Sequence, residues 1–280
     1  MKLVTYDDDK GESYGVATDD GIVNVGRALY YPDLRAVLEA DALEEVRDYV
    51  DGRAPDTAIE DVTLLPPVQK PDKIIMVGLN YATHVAEGGR ETPQYPMLFP
   101  RYANTQVGHG QAIIRPKASE KLDFEGELAF VVRKAGRHVS KKNAYQHVAG
   151  YACYNDGSVR DWQRHTGQFM PGKNFIGTGA FGPWLVTADE IPDPEVMSLV
   201  TRLNGEEMQR ATIDDLIFGV PELMSYITTF TQLVPGDVIV TGTTGGVGAY
   251  REPPVWMKEG DMVEVEISGV GILRNPITNE

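Results

Sequence analysis

Two glutamates and an aspartate alternate in the segment Leu122-Asp123-Phe124-Glu125-Gly126-Glu127-Leu128-Ala129-Phe130-Val131-Val132. Residues two apart on a strand project from one face, so Glu125 and Glu127 point together, with Asp123 potentially beside them. Like charges that close repel, and the apolar run behind them implies partial burial. Such a cluster calls for a cation, and carboxylate oxygens suit Mg²⁺, Mn²⁺ or Ca²⁺ better than a thiolate-seeking metal. Glu-x-Glu alone is more often a solvated acidic edge, so the pattern needs support from elsewhere in the chain.

A second segment supplies some. Gly150-Tyr-Ala-Cys-Tyr-Asn-Asp156-Gly157-Ser-Val-Arg160-Asp161-Trp-Gln163 runs from an apolar strand into a polar turn. Asp156 at the strand end is placed to be a third oxygen ligand, and Arg160 and Gln163 to grip an anion; in isolation Asp156 would be a turn or cap residue. In Asn80-Tyr81-Ala-Thr-His84-Val-Ala-Glu87, a helical conformation puts His84 and Glu87 on one face. A carboxylate that fixes a histidine tautomer is the usual support for a general base, although most such pairs on helices are only surface pairs. Lys173, in Gly172-Lys173-Asn174-Phe175, reads by itself as a surface charge. Thr241-Gly-Thr-Thr-Gly-Gly-Val-Gly248 lacks the Gly-Lys-Ser/Thr ending of a phosphate loop, which disfavours nucleotide binding. His109, His138, His147 and His165 show no ligand spacing, and Cys153 reads as a small core residue.

The elements that must carry these residues are mostly strands. Lys73–Gly78, Glu127–Val132, Gly150–Asn155, Leu199–Asn204, Asp237–Thr241 and Met262–Ile267 hold β-branched or alternating apolar residues bounded by turn formers. One helix is expected from Asp214 to about Phe230, restarted at Pro221. Ahead of them, Lys2–Tyr6, Tyr14–Ala17 and Ile22–Val25 read as short strands. Leu34, Val37, Leu38, Leu43, Val46 and Val50 recur at helical spacing between Pro32 and Gly52. A proline-rich stretch then places a boundary near residue 70. The expected fold class is α+β, mainly β, with residues 1–70 as a small acidic lobe and residues 71–280 as the catalytic unit. No regular βαβ alternation, internal repeat or low-complexity tract occurs.

Composition narrows the function classes. The net charge of −15 argues against nucleic acid and anionic membrane as partners. Residues 1–62 hold 16 acidic and 6 basic side chains, which reads as a well-solvated lobe. A single cysteine rules out an intrachain disulfide and fits a reducing compartment. With no apolar N-terminal stretch and no run long enough to span a bilayer, a soluble cytoplasmic protein is expected.

Taken together, Asn80-Tyr81-x-x-His84-x-x-Glu87, Asp123-x-Glu125-x-Glu127-Leu128, Gly150-Tyr151, Asp156, Arg160-Asp161-x-Gln163, Gly172-Lys173 and Thr241-Gly242-Thr243 resemble the fumarylacetoacetate hydrolase family over roughly residues 65–280. The resemblance implies a mixed β-roll core, a homodimer, and one Mg²⁺ or Mn²⁺ on Glu125, Glu127 and Asp156. It makes His84 and Glu87 a water-activating dyad on a closing segment, with Lys173, Arg160, Gln163 and Thr243 lining the pocket. Thr244 departs from it, since many relatives carry proline there; a difference in substrate is expected near that loop. The reaction implied is metal-dependent hydrolysis of a C–C bond in a small 2,4-dioxo acid of acylpyruvate type, with Lys173 stabilising the oxyanion. Decarboxylation of an oxaloacetate-like acid and isomerisation or hydration of an unsaturated 2-oxo acid are the alternatives within that site. A catalytically inactive metal-binding protein is the alternative from another class, disfavoured by the intact His84–Glu87 pair.

Overall fold

The strand Gly126–Val132 is buried along its whole length, and its two faces serve two different cores. Leu128, Phe130 and Val132 point into one cluster, which they share with Leu199, Val263, Val265 and Ile267. Ala129 and Val131 point the other way, into a cluster with Leu34, Val37, Leu38 and Val46. A strand covered on both sides has no polar face, which explains the continuous apolar run in the sequence. The computed structural model that shows this describes residues 1–82 and 91–280.

Among the described residues the largest sheet has 11 strands. Gly126–Val132 lies between Val148–Asn155 and Val238–Thr243, and the latter pairs in parallel with Ile74–Gly78. The second sheet, of five strands, packs Ser198–Leu203, Met262–Ile267 and Gly271–Asn279 across the first cluster. The fold is therefore mainly β with mixed sheets, as the strand patterns suggest. Lys2–Asp8 pairs with Gly179–Thr187, so residues 2–24 continue the large sheet. No helix among the described residues is long and apolar enough to cross a membrane.

Two local departures have physical causes. The helical pattern over residues 34–50 is two helices, Leu34–Glu39 and Leu43–Val50, because Asp41 turns the chain at φ 52°. Aspartate tolerates that left-handed region, and the break lets both helices lay their apolar residues on the same sheet. Gly179–Thr187 is a central strand that contains Gly182-Pro183, a pair that reads as a breaker. Its pairing with Val148–Asn155 shifts register between Tyr151 and Cys153, and proline is tolerated at such an irregularity.

Candidate active site

Glu125 is set in place by its backbone. Its N–H donates to Asn155 Oδ1 at 3.0 Å, and its carbonyl accepts from the Asp156 N–H at 2.9 Å. The next residue, Gly126, pairs with Asn155 across the sheet. This register brings Asp156, the residue after Asn155, beside Glu125. Glu127 then extends from the strand toward Val238–Thr243, where its Oε2 accepts from the Gly242 N–H at 2.7 Å. Gly242 sits at φ +100°, and a Cβ there would lie 2.9 Å from both Asn80 Cβ and the Val77 carbonyl. Only glycine fits that close approach.

The three carboxylates Glu125, Glu127 and Asp156 are buried and offer oxygens within 4.8 Å of one another, a group that could hold a metal ion. Asp123 does not join them. Its Oδ1 accepts from Gly248 N–H at 2.8 Å, and its Oδ2 from Ala249 N–H at 2.9 Å and Arg160 Nε at 2.7 Å. The chain leaves strand geometry at Phe124 and Glu125, so the two-residue alternation does not run from Asp123 to Glu127.

Three cations meet these acids. Lys173 Nζ lies 2.6 Å from Glu125 Oε2 and 2.6 Å from Asp156 Oδ2. Arg160 Nη1 lies 2.5 Å from Glu125 Oε1 and 3.0 Å from Gln163 Oε1. Arg101, wholly buried, donates through Nη1 to Asp156 Oδ1 and to the Gly157 carbonyl, and through Nη2 to Thr178. Lys173 reaches the cluster because Gly172 packs on Gln163; a Cβ on Gly172 would lie 2.4 Å from the Gln163 nitrogen. Far from being a surface charge, Lys173 is 1% exposed.

Four buried carboxylates against three cations leave the cluster net negative when all are ionised. Burial, and then the neighbouring Asp156 and Glu125 charges, hold the Glu127 carboxyl well above its ordinary value. Asp123 is also raised, by burial, despite Arg160. Burial opposes the charge on Arg160, but Glu125 and Asp123 more than offset it and raise its pKa. An all-oxygen donor set with excess negative charge in a desolvated place fits a hard divalent cation.

Glu125, Glu127, Arg160, Gln163, Lys173 and Thr243 all line one cavity of about 80 Å³, walled further by Gly78, Phe99 and Phe169. Six of the sequence-derived site residues thus meet at one pocket, and Asp156 joins them through Lys173. Arg160 Nη2 is buried with no hydrogen-bond partner among the described residues. The Thr243 hydroxyl, in contrast, is committed: it donates to the Gly126 carbonyl at 2.9 Å and accepts from Gln209 Nε2 at 2.8 Å. His84 and Glu87 lie outside the described residues. Asn80, just before them, is anchored: its side chain bonds both the N–H and the carbonyl of Phe218 and the Thr241 carbonyl. Cys153 is a buried core residue, its thiol pushed up to about 12 by burial.

Sequence reading missed Arg101 and Gln209. Arg101 ends a short strand, Met97–Arg101, whose spacing carries no chemical signal. Gln209 is 1% exposed in a strand of mostly polar and exposed residues, Glu206–Thr212. It ties the Gly126 N–H to Thr243 and Thr244.

Comparison with known proteins agrees with this arrangement. Residues 73–278 match the family model described as fumarylacetoacetate (FAA) hydrolase C-terminal. The chain is 41% identical over 219 residues to the mitochondrial oxaloacetate tautomerase FAHD2A of Bos taurus, covering 78% of this chain and 70% of that one. It is 35% identical over 287 residues to the mitochondrial oxaloacetate tautomerase fahd2 of Xenopus laevis, covering 99% and 90%. Among solved structures, fumarylacetoacetate hydrolase from Exiguobacterium antarcticum superposes with a TM-score of 0.89 at 34% identity, over 100% of both chains. Maleylpyruvate hydrolase from Sphingobium sp. SYK-6, in complex with manganese(II) and pyruvate, does so with a TM-score of 0.81 at 26% identity, over 100% of this chain and 99% of that one. This chain belongs to the fumarylacetoacetate hydrolase family of enzymes.

Proposed function

We propose that this protein is a divalent-metal-dependent enzyme that moves a proton at the carbon beside the carbonyl of a small 2-oxo acid. Keto–enol tautomerisation of an oxaloacetate-type acid is the leading reaction. The observation that carries the reading is a small pocket where Glu125 and Glu127 of the buried carboxylate triad meet the buried Arg160, whose Nη2 has no partner among the described residues. A desolvated donor of that kind is costly unless something fills it, and a substrate carboxylate does. Relatives named as oxaloacetate tautomerases, at 35–41% identity, support the choice of reaction.

Glu125, Glu127 and Asp156 would hold Mg²⁺ or Mn²⁺, which supplies Lewis-acid polarisation of the 2-oxo group. Arg160, steadied by Asp123 and Gln163, orients the 1-carboxylate. An ammonium has three N–H donors; Lys173 gives two to Glu125 and Asp156 and turns the third to the oxygen on which charge develops. Phe99 and Phe169 exclude water from that oxygen. His84, oriented by Glu87, would take the proton from C3 as the 2-oxygen gains one, and in the reverse direction deliver a proton to C3 as the enol oxygen loses its own. In this reading residues 71–280 hold the machinery, residues 1–70 support it, and the protein works as a cytoplasmic homodimer.

Hydrolytic cleavage of a 2,4-dioxo acid is the second reading, favoured by the His84-x-x-Glu87 spacing and the likeness to maleylpyruvate hydrolase. There His84 activates water, and Lys173 faces a tetrahedral oxyanion. The two separate in one assay on the Mn²⁺-loaded protein: loss of oxaloacetate enol absorbance against pyruvate release from acylpyruvates. Faster enol decay is expected; pyruvate release from an acylpyruvate outpacing it would replace the first reading with the second.

A further inference from the structure

At the mouth of the same pocket stands a cation that neither reading uses. Arg164 lines the cavity together with Arg160, yet it is exposed at the rim while Arg160 is buried. Arg160–Gln163 is a single helical turn, and Arg164 caps its C-terminus. The two arginines are therefore four residues apart and share the face turned to the cavity. Like charges at that spacing disfavour each other. Arg160 is compensated by Asp123 and Glu125, whereas Arg164 has no ion pair among the described residues. The two acidic residues on the pocket wall, Glu125 and Glu127, are already engaged deeper in, by Arg160, Lys173 and the Gly242 N–H.

The backbone under Arg164 is fixed rather than loose. Its N–H donates to the Asp161 carbonyl at 3.1 Å, and the His165 N–H to that of Trp162 at 3.2 Å. Trp162 in turn packs against His165 and Phe175, at centroid distances of 4.8 and 5.2 Å. A guanidinium on a hydrogen-bonded turn at a pocket rim, with no acid paired to it among the described residues, is placed for an anion arriving with the ligand.

We infer that Arg164 is a specificity-determining residue that binds the distal carboxylate of the substrate, so that the pocket selects 2-oxo dicarboxylates over 2-oxo acids with a neutral end. The inner end of the pocket takes the 1-carboxylate and 2-oxo group, at the carboxylate triad and Arg160. The outer end then faces Arg164. This rests on the reading of the site as one for 2-oxo acids, and it adds the substrate class.

The test is binding to the Mn²⁺-loaded protein by calorimetry, with two ligands that cannot tautomerise. Oxalate has no carbon beyond the chelating pair; 3,3-difluoro-oxaloacetate carries a distal carboxylate and has no C3 proton to lose. Arg164→Gln is expected to weaken difluoro-oxaloacetate roughly fivefold, the scale of a partly exposed charge pair, and to leave oxalate within about twofold. Arg164→Lys should restore most of the loss. Equal weakening of both ligands, or of neither, overturns the assignment. The outcome is separable from that for the reaction. An Arg164-dependent difference in a protein that does not speed enol decay keeps this inference and removes the tautomerase reading. Enol decay with Arg164-independent binding does the reverse.

Discussion

Acidic side chains gather in two regions of this chain, in opposite surroundings. In residues 1–62 there are 16 of them against 6 basic ones, and ion pairs they make, such as Arg35–Glu39 and Arg47–Glu44, are open to solvent. Around Glu125, three buried carboxylates pair with three buried cations, and a fourth, Glu127, lies beside two of those acids. Exposed pairs are screened and contribute little. Buried ones cost desolvation, and each depends on its partners remaining in place. The first region can lose a charge without consequence, and the second cannot. High acid content alone therefore says nothing about function; the solvent around the acid does.

Substitutions can break or sharpen that contrast. The largest effect is expected within the triad: Glu127→Gln or Asp156→Asn should lower divalent-metal affinity and turnover by at least about a hundredfold, read by calorimetry and by rate. Chelation should abolish turnover, with Mn²⁺ or Mg²⁺ restoring it; full activity without detectable metal would undo the site. His84→Ala should cost on the order of 10²–10⁴ in turnover while metal affinity stays, since a general base acts on the proton and not on the ion. Loss of metal affinity in that variant would make His84 a ligand.

Arg101→Met strands Asp156 beside two other carboxylates, and in metal-free protein it should cost about 3–5 kcal/mol in denaturant unfolding. Arg101→Lys should recover part of this. An unchanged midpoint for the methionine variant would show that Arg101 does not compensate Asp156.

The pH dependence should have opposite signs in the two regions. Glu127 is raised when folded, by burial and by Asp156 and Glu125, so the folded state holds its proton more tightly. Metal-free protein should then lose stability as pH rises above the unfolded value of 4.5 and through the raised one. Metal should flatten that fall. Asp8 is lowered to about 2 by its hydrogen bonds from Arg27, so its contribution is present above 3.8 and disappears as pH drops toward 2. The smallest effect is Arg27→Gln, which should erase that acid-side fall and lower the melting temperature above pH 5 by only about 1–3 °C, the scale of an exposed pair. A large shift there would mean that the surface region is not indifferent to charge.

Part of the site was legible because acidic residues stand out where a buried apolar strand begins or ends. Glu125 and Glu127 stand out ahead of Leu128–Val132, and Asp156 at the end of Val148–Asn155. What misled was local. Asp123 shares the spacing of its neighbours, but the irregular link at Phe124 turns it to the 248–249 backbone. Lys173 has no local signal, and its burial depends on Gly172 packing against Gln163. The polar strand Glu206–Thr212 and the Gly-Pro strand Gly179–Thr187 are held by neighbours rather than by their own composition.

By itself the sequence determined the class of fold, the apolar runs that make its doubly covered strands, and three carboxylates of the kind that could hold a hard cation. Periodicity and residue chemistry are local properties, written in adjacent positions. Which charges face one another was decided only in three dimensions. The pairing of Gly126 with Asn155 brings Asp156 to Glu125, and the ends of two further segments deliver Arg101 and Lys173. A register shift of one residue would turn Glu127 to the opposite face of the sheet, away from Gly242 and the other carboxylates. Partner choice among buried charges follows from long-range pairing, and no local pattern of residues contains it.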